Sequence, residues 1–479
     1  MSNFAIPAGN RLKTFAFYTL AVAAAVVVFF LVRHKGEALQ APAGGALAAP
    51  TAAVAGKSGE ILVHVLLALL VIIALARLVG AVFKYMHQPP VIGEILAGIM
   101  LGPSLLGRIS PEAYAYLLPT SISPHLAIIS QVGVLLYMFL VGLELDTSML
   151  RKGTHASVAI SHASIILPFT LGSILALVVY PILSSSNVPF TPFALFMGVS
   201  MSVTAFPVLA RILTDRRLQK SRMGVTALTC AAVDDATAWC LLALVVSVIS
   251  AKMGTALSTV LLTLAYIAFI FVVVRPLMEW VARRHEDDER ISQGVLALVL
   301  CALLFSGLMT EFIGIHAIFG AFLIGAVIPH HSRIARDLTD RLQDVVVVFL
   351  LPAFFAFTGM RTEINLLNGV QNWVLCGVII LVASAGKFGG STIAARLVGL
   401  GWSEGAALGI LMNTRGLMEL IVLNIGLDLK IISPTLFAML VVMALVTTFA
   451  TTPVLHLILR GGSRGAIPVD SRQPAGPLP

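Results

Sequence analysis

The chain has 479 residues, of which 58% are hydrophobic and only 11% are charged. Soluble globular chains carry about 25% charged residues, so this composition excludes a soluble enzyme and specifies a polytopic membrane protein. The formal net charge of +8 then reads as loop asymmetry across a bilayer and not as a nucleic-acid signal.

In chain order, the first apolar run covers residues 15–33, after Arg11 and Lys13. It ends at Arg33-His34-Lys35 and not at a small-residue cleavage site, which favours a retained N-terminal anchor helix over residues 1–34 against a signal peptide. Residues 35–59, with QAPAGGALAAPTAAVAGKSG, read as a flexible Ala/Gly/Pro linker. Residues 60–460 then hold thirteen further runs: 60–83, 91–106, 125–143, 155–182, 192–213, 224–250, 255–281, 291–309, 312–329, 343–359, 372–395, 404–426 and 434–459. Residues 461–479 read as a short disordered cytoplasmic tail.

Basic residues alternate between loops. One set carries Lys84, Arg151, Lys152, Arg216, Arg217, Lys220, Arg222, Arg283, Arg284, Arg290, Arg333, Arg336, Arg341 and Arg396. The other carries isolated residues such as Arg108, Lys252, Arg361 and Lys430. Positive-inside bias places the rich set and both termini in the cytoplasm, with a bacterial inner membrane as the expected location. Cys230, Cys240, Cys301 and Cys376 all fall in apolar segments with no metal-ligand spacing and read as small packing residues, so no cofactor is expected.

Four segments break the apolar rule. Asp234 and Asp235 are adjacent inside GVTALTCAAVDDATAWCLLALVVSVIS. A charge at the bilayer centre costs roughly 2.5–3.5 kcal/mol, so at least one acid must be protonated, paired, or both. Neighbours on a helix point about 100° apart, so one acid can face a cavity while the other faces a neighbouring helix. In SVTAFPVLARIL, Thr204 and Pro207 fall within a run, as a simple kink or a discontinuous helix. In LMNTRGLMELIVLNIG, Asn413, Thr414, Arg415, Gly416 and Glu419 interrupt another. Two interrupted segments in the two halves are the pattern of inverted-repeat transporters with a midplane site. Lys387 lies deep inside LCGVIILVASAGKFGGSTIAARL, too far from either end to snorkel, and pairing with Asp234 or Asp235 is the better account. Arg415 and Glu419 are four apart and able to bond each other, with a tuning role on the site as the sharper reading. His316 reads as a packing histidine, with a proton relay as the alternative.

These segments, together with QPPVIGEILAGIMLGPSLLG and MFLVGLELD, closely resemble the monovalent cation:proton antiporter superfamily. The similarity is strongest to the branch of bacterial Na+/H+ antiporters, Kef-type potassium efflux systems and plant cation/H+ exchangers. It spans roughly residues 60–458 and leaves the first helix and linker outside. The resemblance implies an all-α inverted-repeat antiporter fold with a core (transport) domain, a dimerisation domain and a homodimer in the lipid bilayer. It implies two crossed discontinuous helices, here at Thr204–Pro207 and Asn413–Gly416. By the same resemblance Asp235 carries the cation or the proton, Asp234 pairs with Lys387, and an Asp-Asp pair goes with electrogenic exchange.

The function expected is secondary active exchange of Na+ or K+ for H+ by alternating access. A Kef-like potassium efflux transporter or channel with a separate regulatory partner is the alternative. An intramembrane aspartyl protease is disfavoured, because adjacent acids on one helix cannot converge on one bond.

Overall fold

A computed structural model describes residues 8–41, 58–144, 155–184, 188–216, 218, 221–250, 256–286 and 290–462. The heart of the expected linker, 42–57, and the expected tail, 463–479, lie outside the described residues, as do Arg151, Lys152, Arg217, Lys220 and Lys252. Among the described residues every regular element is helical, apart from one bridge between Ser184 and Ile432.

The helices are α1 (Ala8–Gly36), α2 (Ser58–Tyr85), α3 (Pro90–Leu101), α4 (Ser123–Glu144), α5 (His155–Leu183), α6 (Phe190–Ser202), α7 (Phe206–Asp215) and α8 (Arg222–Ser250). They continue as α9 (Ala256–Phe269), α10 (Arg275–Arg284), α11 (Gln293–Ile313), α12 (Ala317–Val327), α13 (Arg333–Val345) and α14 (Leu351–Met360). The last are α15 (Val370–Ser384), α16 (Gly390–Leu397), α17 (Trp402–Met412), α18 (Leu417–Asp428) and α19 (Pro434–Gly462). Five-residue π turns join α9 to α10, α13 to α14, and α15 to α16.

Among the described residues from Glu60 onward, eleven segments are long and apolar enough to cross a bilayer, and the bent pair α17–α18 makes a twelfth. The short apolar α12 supplies the thirteenth run anticipated there. This is an integral membrane protein. Two of the boundaries that differ from the hydropathy reading have a plain cause in the sequence. The run at 91–106 stops at Leu101, where Gly102 and Pro103 end the helix. The run at 343–359 begins ten residues earlier, because α13 is amphipathic: Arg333 pairs with Asp337 at 3.2 Å, and Asp337 caps the Ile291 N–H at 2.8 Å. The cysteines also differ from expectation. Cys230 and Cys376 are buried, but Cys240 and Cys301 are exposed on helix surfaces, where a small thiol is tolerated among apolar neighbours.

Glycines decide which helices touch closely. In one group, a Cβ on Gly325 of α12 would lie 2.2 Å from the Phe139 carbonyl of α4, and one on Gly359 of α14 would lie 2.5 Å from Gly98 of α3. In a second group, a Cβ on Gly172 of α5 would lie 2.8 Å from the Met197 carbonyl of α6, and one on Gly386 would lie 2.8 Å from Pro168 of α5. Such small-residue crossings replace the hydrophobic drive that lipid removes. The extra helix α1 joins the second group: Gly36 leaves room for the Phe190 ring, and Thr191 donates to Glu37 at 3.3 Å.

Candidate ion-binding site

The second group is built around two broken helices. Between α6 and α7 the backbone at Val203 and Ala205 is extended. Pro207 falls in the first turn of α7, where its missing N–H is one that no helix would satisfy anyway. The proline therefore starts a second half-helix instead of kinking one span. Between α17 and α18 the chain unwinds from Asn413 to Gly416 and bends by 44°. The two breaks touch directly: the Ala205 N–H donates to the Thr414 carbonyl at 3.1 Å. A Cβ on Gly416 would lie 2.6 Å from a Val208 methyl, so glycine allows this approach.

Unwound backbone in hydrocarbon needs partners. Thr448 of α19 supplies two, accepting from the Arg415 N–H at 2.9 Å and donating to the Arg415 carbonyl at 2.8 Å. The Thr414 hydroxyl donates to the Leu411 carbonyl at 2.8 Å. The fully buried Arg415 guanidinium donates to the Ser200 and Met201 carbonyls and to Glu419, each at 2.8 Å. It thus places a cation on the negative end of half-helix α6.

Beside the crossing, Asp234 is fully buried and saturated. Lys387 Nζ stands 2.8 Å from its Oδ2, with neither side chain exposed. Ser161 donates to Oδ1 at 2.9 Å and Ser164 lies 2.7 Å from the same oxygen. The Thr204 hydroxyl donates to Oδ2 and accepts from Lys387. The π turn Ala385–Gly389 carries Lys387 into this cluster.

Asp235 is the opposite case. It is only 4% exposed, yet neither carboxylate oxygen has a well-formed hydrogen bond, and the donor directed at it is the Phe206 N–H at the start of α7. The divergence follows from helical phase. One turn before Asp234, the Cys230 thiol reaches the Ser157 carbonyl of α5 at 3.4 Å, so that face looks into the second group. One turn after Asp235, Trp239 packs on Phe319 and Phe322 of α12 at 5.4 and 6.3 Å, so this face looks into the seam between the groups. The Asn413 side-chain oxygen is likewise buried without a partner.

The structure thus brings Asp234, Thr204 and Lys387 into one bonded cluster, with Asp235 adjacent and the Asn413–Gly416 break beside it. Glu419 joins through Arg415, and both lie within electrostatic range of Lys387. His316 stands apart. It begins α12 and lines a cavity of about 460 Å³ with Glu311, Arg361 and Asp428. Sequence reasoning missed Ser161, Ser164 and Thr448. A stripe of Ser157, Ser161 and Ser164 at helical spacing in an otherwise apolar run was the available signal. Among the described residues no group of three or more His, Cys, Asp or Glu is placed to hold a metal ion.

Residues 65–461 match the family model described as the transmembrane sodium/hydrogen exchanger. The chain is 44% identical over 394 residues to the Na(+)/H(+) antiporter NhaS4 of Synechocystis sp., covering 82% of this chain and 96% of that protein. It is 40% identical to cation/H(+) antiporter 20 of Arabidopsis thaliana, over 81% of this chain and 48% of the relative. With the K(+)/H(+) antiporter 1 of Saccharomyces cerevisiae the identity is 35%, over 84% of this chain and 47% of the relative. The chain therefore spans about half the length of these plant and yeast relatives. In fold it is similar to the sodium proton antiporter MjNhaP1 from Methanocaldococcus jannaschii, with a TM-score of 0.55 at 15% identity, over 84% of this chain and 98% of that one.

Proposed function

Because the chain belongs to the sodium/hydrogen exchanger family, we propose that it is a secondary antiporter exchanging a monovalent cation, Na+ or K+, for protons across a membrane. The observation that carries this reading is the pair of unpartnered Asp235 oxygens beside a fully satisfied Asp234. An ionised carboxylate cannot remain desolvated without a counter-charge, so Asp235 must hold a proton or a cation. The two compete for the same oxygens, and competition at one site couples their fluxes if the empty site reorients poorly. Unwound carbonyls and hydroxyls at the helix breaks complement the carboxylate as oxygen donors.

Charge balance bears on stoichiometry. Exchange of one cation for one proton at Asp235 alone moves no net charge. Electrogenic exchange, the reading we adopt, needs a second proton, and Lys387 released from Asp234 is the group that supplies it. We assign the Lys84 and Arg216 face to the cytoplasm of a bacterial inner membrane, with both termini on that side. We also assign the protein to a homodimer, with the α2–α3–α4–α12–α14 group as dimerisation domain and the α5–α8 and α15–α19 group as transport domain. The expected anchor, linker and tail at the two ends belong to the same proposal.

The test is proton flux in proteoliposomes with Na+, Li+, K+ and Rb+ added in turn at a clamped membrane potential. The wild type exchanges, with a rate that follows the potential, and Asp235→Asn does not. Cation-dependent exchange persisting in Asp235→Asn overturns the site. A rate indifferent to potential overturns the electrogenic reading alone.

A further inference from the structure

At the basic face a cavity of about 810 Å³ opens between the α2–α3 turn, the end of α7 and the last turns of α19. Its polar lining is Lys84, His87, Gln88, Arg216, Thr452 and His456, two fixed cations and two imidazoles with no carboxylate among the lining residues. Two of these residues are more than nine-tenths buried and yet unsatisfied. The Thr452 hydroxyl, on a residue 5% exposed, and the Gln88 side-chain oxygen, on a residue 8% exposed, have no hydrogen-bond partner. Buried polar groups in proteins are normally bonded, so these two orphans, sealed just behind the cavity wall, gain a partner when an occupant draws their side chains toward it. The turn that presents Gln88 is itself unusual, because His87 adopts a left-handed conformation at φ 57° to close α2.

We infer that this cavity is an anion site for a phosphate-bearing group. Lys84 and Arg216 supply the counter-charge, and Arg216 is able to engage two phosphate oxygens at once. The Thr452 hydroxyl and the Gln88 NH2, rotated toward the cavity, donate to the same non-bridging oxygens, each of which accepts more than one bond. The volume exceeds what inorganic phosphate alone requires and admits a phosphate carried on a larger body. The cavity lies where α2 ends, at the depth of lipid headgroups, so the phosphate comes either from an anionic lipid or from a soluble phosphate compound. The inference rests on the lining residues and does not depend on the exchange reaction.

The experiment is thermal unfolding of the purified full chain in nanodiscs of phosphatidylcholine. One arm adds pyrophosphate, against sodium chloride at matched ionic strength. The other replaces part of the lipid with phosphatidylglycerol. Stabilisation by pyrophosphate above the chloride control supports the site and identifies a soluble source; stabilisation by phosphatidylglycerol alone supports it and identifies a headgroup. In whichever arm responds, Lys84→Ala with Arg216→Ala weakens the apparent affinity by about tenfold or more, and Thr452→Val, which keeps the shape and removes the hydroxyl, weakens it several-fold. Arg283→Ala with Arg284→Ala, equally basic but outside the cavity, leaves it unchanged. No stabilisation in either arm overturns the inference, as does an equal loss in the Arg283/Arg284 control.

Discussion

Asp234 and Asp235 are neighbours in sequence with opposite fates, and helical phase separates them. Asp234 turns into α5 and gathers Ser161, Ser164, Thr204 and Lys387, while Asp235 turns to the seam and gathers no side-chain partner. Removing one partner of a buried ion pair leaves an uncompensated charge and costs about 3–5 kcal/mol. Lys387→Ala should therefore lower the melting temperature in detergent, and adding Asp234→Asn should restore most of the loss. Asp235→Asn, which breaks no side-chain bond and keeps an oxygen for the Phe206 N–H, should leave the melting temperature nearly unchanged. A melting temperature for Lys387→Ala equal to wild type would contradict the pairing. The acids and the lysine were legible in the sequence because charge in hydrocarbon is costly enough to need a reason. Ser161 and Ser164 were not, because a serine in an apolar helix usually satisfies itself on the carbonyl one turn back.

At the scale of elements, the broken helices are held by bonds between segments far apart in the chain. Arg415 on the second break ties down carbonyls 214 and 215 residues away at the end of α6. Only a planar guanidinium reaches two carbonyls and a carboxylate together, so Arg415→Lys is not conservative. It should lower both thermal stability and exchange rate, with more loss of maximal rate than of cation affinity, as read from saturation curves. Wild-type kinetics in that variant would show that the crossing needs no cap. Pro207 made the first break legible, since a proline is at home in a first helical turn and foreign to a helix interior. The contact between the breaks was not legible, because it rests on the Ala205–Thr414 hydrogen bond and on the space left by Gly416. Helix α13 was misplaced for a simpler reason: its charged face hides it from a hydropathy scan.

For the whole molecule, the two helix groups meet at a seam whose ends differ. At one end the 810 Å³ cavity is open among Lys84, Arg216 and His456. At the other, Arg361 of α14 bonds Asp428 at 2.6 Å and Asn424 at 3.0 Å, and Asn424 bonds Thr358 at 2.8 Å. Helix α19 begins near the latched end and carries His456 at the open one, about 33 Å along its axis. Alternating access requires this polar latch to part. The half-exposed Arg361–Asp428 pair alone contributes little, so the informative variant is Arg361→Ala with Asn424→Ala. It should raise labelling of a Ser130→Cys reporter by an impermeant maleimide about tenfold, the effect of about 1.4 kcal/mol on a two-state balance. Unchanged labelling would place the closing contact elsewhere. The division into groups was beyond the sequence, since it depends on which glycines meet, such as Gly142 with Gly325 and Gly98 with Gly359.

One measurement reaches the common site most directly: protons released to a pH indicator when Na+ or K+ is added to the purified protein in weakly buffered detergent. If a cation displaces a proton from Asp235 and frees a second from Lys387, release approaches two protons per site at acidic pH, fades as the pH rises and the site empties of protons, vanishes in Asp235→Asn, and falls toward one per site in Asp234→Asn. Undiminished release from Asp235→Asn would contradict the account, because the exchange of ligands would then occur at another group.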